Sequence, residues 1–155
     1  MHILSKVFLI SLALLSACNS DDKAQTGSKS ADAISVDAPY IRAMPPGQAV
    51  TAMFLTLQNS SDKDRFLVSA KGDVSEKIEL HEHTHADGMM KMREVPEITI
   101  PKQSKAELKP GGYHIMLIGL KKDLQVGEKI SFDLQFKDGS QTSITAEVKK
   151  INPHS

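Results

Sequence analysis

Two imidazoles and two thioethers stand at a defined spacing in this chain: His81, ten residues, Met92, twenty-one residues, His114, one residue, Met116. The set is soft and uncharged, and thioether sulfur points to Cu(I). The donors are concentrated, since four of the six His and four of the seven Met fall within 81–116. A hydrolytic zinc site would want His, Glu or Cys and an open water position. Glu82 adjoins His81, but on a strand it points to the opposite face. A blue-copper centre needs Cys with two His, and the single cysteine, Cys18, stands far from these donors in the chain. No nucleophile elbow, phosphate loop or Cys-x-x-Cys occurs. The chemistry on offer is metal holding rather than catalysis.

Strands must position these donors. Residues two apart on a strand share a face, so His114 and Met116 present together while Ile115 turns to the core. His81, His83 and His85 likewise share a face. If Asp87-Gly88 is the centre of a hairpin, His83 stands opposite Met92, His85 opposite Met90, and His81 lies diagonal to Met92. Register alone leaves His81 and His83 both open as the first ligand. The hairpin must also lie beside the 113–120 strand.

The remaining donors have plainer roles. His83 and His85 read as solvated loop residues or as an auxiliary Cu(II) patch. Met89 and Met90 read as loop packing, Met44 as rim beside Pro45-Pro46-Gly47, and Met53 as core. Met116 in the run HIMLI could serve packing alone, but His114 on the same face argues against that, because a buried His needs a partner.

The rest of the chain reads as all-β. Ile130, Phe132, Leu134 and Phe136 alternate with polar residues, Asp138-Gly139 makes a turn, and 142–148 alternates again, which is a hairpin. Residues 50–57 (VTAMFLTL) are apolar on both faces and belong centrally. Gly and Pro punctuate short strands at a spacing that suggests a sandwich or small barrel. No stretch carries a helical period with caps.

Residues 1–17 read as a leader. Lys6 precedes the apolar run 7–15, and Leu15-Ser16-Ala17-Cys18 looks like a bacterial lipoprotein signal, cleaved before an acylated Cys18. Several acyl chains would anchor the protein stably. The expected location is the cell envelope, facing the periplasm. Asn19 rather than Asp after the lipidated Cys favours the outer membrane. Residues 18–33 hold few apolar side chains and form a flexible tether, leaving 34–151 as one globular domain. With one Cys, no internal disulfide is possible. Basic and acidic residues number 19 each, so no field exists for binding nucleic acid.

The sequence around each donor resembles the periplasmic copper chaperones of the PCuAC family, also called the PCu(A)C domain. The resemblance rests on the spacing above and on four stretches: Tyr40-Ile41-Arg42-Ala43-Met44-Pro45-Pro46-Gly47, Glu79-Leu80-His81-Glu82, Asp87-Gly88-Met89-Met90-Lys91-Met92-Arg93, and residues 108–117 (LKPGGYHIML). It spans about 34–148. It implies a cupredoxin-like Greek-key β-sandwich or barrel with a Cu(I) site formed by His81, Met92, His114 and Met116. It further implies a carrier that passes copper towards cytochrome c oxidase, chiefly its CuA centre, alongside a thiol-containing assembly factor. The extra His83 and His85 depart from the usual form. The rival reading is a copper-sequestering lipoprotein for metal tolerance, using the same site without a delivery partner.

Overall fold

The computed structural model describes residues 33–86 and 89–150; the leader, Cys18, the tether, the Asp87-Gly88 turn and the side chain of His85 lie outside them. Ten strands follow in order: β1 (Ile34–Arg42), β2 (Val50–Asn59), β3 (Arg65–Lys71), β4 (Ser75–Ala86), β5 (Met89–Glu94), β6 (Ile98–Ile100), β7 (Ser104–Leu108), β8 (His114–Leu120), β9 (Lys129–Phe136) and β10 (Gln141–Lys149). No α-helix occurs among the described residues. The expected all-β class holds.

The strands run β5-β4-β8-β2-β1-β10-β9-β3-β6, with β7 also paired to β2. β1 and β10 run parallel, and the other paired strands are antiparallel. The long sheet folds over on itself, bringing β3 against β4 and β6 against β7. Non-consecutive neighbours such as β4 beside β8 record the crossovers of a Greek-key sandwich.

Sequence period explains the main elements. In β9 and β10, Phe132, Leu134, Phe136, Ile144, Ala146 and Val148 are buried and their neighbours face outward. The turn between them uses Gly139 at φ 84, a conformation in which a Cβ is strained. β2 is central as its two-faced apolar run requires, pairing with β1 on one side and with β7 and β8 on the other. Met53 is fully buried in it.

Both faces of β8 are used. Ile115 and Leu117 are fully buried in the main core with Met53, Leu55, Leu57 and Leu80. Burying such side chains contributes about 1.5–3 kcal/mol each. The alternate residues His114 and Met116 therefore face away from that core, over Ala52 and Phe54 of β2.

Candidate metal centre

The donors come from three adjacent strands. β8 lies beside β4, with His114 opposite His81 and Met116 opposite Glu79. β5 lies on the far side of β4, with Met92 opposite His83, Met90 opposite His85 and Glu94 opposite His81. This is the register expected from a turn centred on Asp87-Gly88. His81 is thus diagonal to Met92, and all four expected donors share one patch of the sheet.

His114 is the pivot. Its residue is 2% exposed. Its Nδ1 lies 3.0 Å from the carbonyl oxygen of Gly112. A carbonyl only accepts, so Nδ1 carries the proton and donates it. Burial holds the ring's pKa below the ordinary histidine range, opposed by the Gly112 hydrogen bond and reinforced by His83, His81 and Arg42. The ring is accordingly neutral at pH 7, and Nε2 bears a lone pair. That lone pair lies 3.2 Å from the Sδ of Met92. Two electron-pair donors face each other with no proton between them, an arrangement that suits a shared soft cation.

His81 is prepared in the same way from the other side. Its Nε2 lies 2.8 Å from Oε2 of Glu79, and its side chain is 12% exposed. Glu79 is held below the usual carboxylate range by hydrogen bonds from Lys77 and His81, so it accepts and His81 Nε2 donates. The other ring nitrogen, Nδ1, is buried without a hydrogen-bond partner. An outer carboxylate or carbonyl that fixes the tautomer of a ligating His is a recurrent feature of metal sites. Both imidazoles thus present one free nitrogen each.

The third wall is a turn. Lys109-Pro110-Gly111-Gly112 closes through Gly112 N–H donating to Lys109 O at 3.0 Å, with Gly111 at φ 80. Pro second and a positive φ third define a type II turn. The turn carries the Gly112 carbonyl to His114. It also flanks a cavity of about 260 Å³ lined by His83, Met92, His114, Met116, Met44 and Arg42, among others. Arg42 lies 5.5 Å from the centre of the Phe54 ring, which underlies His114. Met44 is at the rim, as its Pro-Pro-Gly neighbourhood suggested.

His83 stacks on His114, so it is neither a solvated loop residue nor remote from the four donors. The backbone of His85 pairs with Met90. Met89 and Met90 are exposed on β5 rather than packed. Glu79 and Gly112 are site residues that spacing did not flag. Glu79 could have been found by strand period, since it shares the face of His81; a backbone carbonyl leaves no mark in a sequence. Among the described residues, no three His, Cys, Asp or Glu side chains gather as a metal-holding group.

Together the strand order and the His/Met face define a cupredoxin-like β-sandwich of the PCuAC type. The chain belongs to the LpqE-like family, whose model, described as "Putative lipoprotein LpqE-like", matches residues 34–148. It is 37% identical over 130 residues to "Putative lipoprotein Lxx21020" of Leifsonia xyli subsp. xyli, covering 83% of this chain and 77% of that protein. Its fold is similar to the solution structure of CuI-DR1885 from Deinococcus radiodurans. That match has 37% identity and a TM-score of 0.62, over 74% of this chain and 76% of that one. It is also similar to the copper-bound PCuAC domain from PmoF2, with a TM-score of 0.64 and 23% identity, over 77% of this chain and 94% of that one. At the latter identity the likeness is one of fold.

Proposed function

We propose that this protein is a copper carrier of the cell envelope. It holds one Cu(I) through His81, Met92, His114 and Met116 and surrenders it by ligand exchange, without catalysis. The observation that carries this reading is the lone pair of His114 Nε2 facing Met92 Sδ at 3.2 Å. The Cu(I)-bound relative at 37% identity supports it. Neutral donors leave the ion's positive charge intact, and Met92 is 47% exposed. A thiolate acceptor can therefore displace one ligand at a time. The acceptor is the copper centre of cytochrome c oxidase or a thiol-bearing factor that loads it. The protein acts while anchored to the membrane by acyl chains on Cys18, a reading supported by the lipoprotein signal and by the description of the family.

Anaerobic Cu(I) titration against a competing chelator tests the site. The purified protein should take up one tight equivalent, and Met92→Ala or His114→Ala should abolish or severely weaken it. Absence of tight Cu(I) binding by the unaltered protein, or full affinity in both variants, would overturn the reading.

A further inference from the structure

The four-donor reading leaves His83 without a role, yet the structure builds it into the same place. It shares the His81 face of β4 and is directly opposed to Met92. Its ring stacks on His114 with centroids 4.9 Å apart and planes at 24°. The His81 ring is farther from His114, at 5.9 Å and 47°. His83 donates its backbone N–H to the Gly112 carbonyl at 3.2 Å, the same oxygen that receives Nδ1–H of His114. Its own Nδ1 is buried with no hydrogen-bond partner. A buried ring nitrogen left unpaired is unfavourable unless an ion or a bond offsets its lost hydration. His83 also lines the cavity together with Met92, His114 and Met116, a wall that does not include His81.

We infer that His83 is a third imidazole donor to the same copper ion and that it substitutes for His81. The ion then has two seats that share His114. The deep seat uses His81, steadied by Glu79, and both thioethers remain within reach of either seat. The cavity-facing seat uses His83 and Met92, the pair opposed across the β4–β5 ladder. Each seat combines imidazole nitrogen with thioether sulfur and is suited to Cu(I). An incoming thiolate meets the outer seat first, so exchange between seats is the route by which copper leaves. His83 is thereby part of the primary site rather than of a separate Cu(II) patch with His85. The inference rests on the copper-carrier reading.

The test compares Cu(I) affinity in the full chain and in His81→Ala, His83→Ala and the double variant, with circular dichroism to verify folding. Each single change should weaken binding about tenfold, and the double change should exceed the hundredfold product, because either imidazole covers for the other. Independently of any variant, the ring nitrogens of His83 should shift in 15N spectra of the unaltered protein on adding one equivalent of diamagnetic Cu(I). If His83→Ala binds like the unaltered protein and the His83 nitrogens do not move, the inference falls while the carrier reading stands. Effects that only multiply would also overturn substitution. If the unaltered protein takes up no Cu(I), both readings fall together.

Discussion

Two acceptors, the Gly112 carbonyl and the Glu79 carboxylate, decide which nitrogen of each candidate imidazole ligand is free. At the scale of single residues this is the main contribution of the protein matrix to the candidate site. It has a consequence for stability as well. His114 titrates below its ordinary value in the folded chain because burial disfavours its charge. The unfolded chain therefore takes up that proton first. Between the two pKa values the unfolded state binds more protons, so stability rises with pH across that window. The contribution is complete above about 6.5 and is lost as pH falls towards the folded value. Denaturant unfolding of the metal-free protein at a series of pH values from 7.5 down to 5 should show this decline, and His114→Gln should flatten it. An unchanged slope in His114→Gln would contradict the assignment of a buried, neutral ring. The pairing of His83 with Met92 was legible in the sequence, because Asp-Gly at the centre of a hairpin dictates a register. The choice between His81 and His83 was not, since strand period places both on one face.

The turn before β8 is the element on which the site hangs. Gly111 needs φ 80, and a Cβ there would meet no atom within 4 Å, so a larger residue is penalised only through the backbone. Gly139 is matched to it, with φ 84 and open space, at the β9–β10 turn instead. Replacing either by Val should cost roughly 1–2 kcal/mol of stability or somewhat more. Only Gly111→Val should displace the Gly112 carbonyl, and it should weaken Cu(I) binding about ten- to a hundredfold, as loss of an outer partner does. Paired chelator titrations would read this, and equal copper affinity in the two variants would count against the turn's role. β2, β8 and the β9–β10 hairpin could be read from apolar period and turn chemistry. β6 has three residues and β7 five, too few for a period to declare itself. The parallel β1–β10 pairing joins distant segments, Tyr40 to Glu147 for example, and a local pattern carries no such information.

Across the whole molecule, the apolar core and the donor patch lie on opposite faces of the β4–β8–β2 sheet. The core is thus built apart from the candidate donors, and the proposed carrier is expected to give up its ion without unfolding. The proposed delivery role predicts a phenotype in the cell. A strain lacking the protein should lose cytochrome c oxidase activity under copper limitation while keeping its ordinary copper tolerance. Complementation with Cys18→Ala should move the protein from the membrane to the soluble periplasmic fraction. Copper sensitivity with normal oxidase activity would favour storage. β8 is common to both faces, and that shared use sets a limit on how such a chain can vary. Gain or loss of one amino acid within it would rotate every later side chain by half a turn. Greasy groups would be pushed towards water and the Met116 thioether towards the interior, so the donor set and the core would fail in the same event. Length changes in this family should accumulate elsewhere, in the connections remote from that strand.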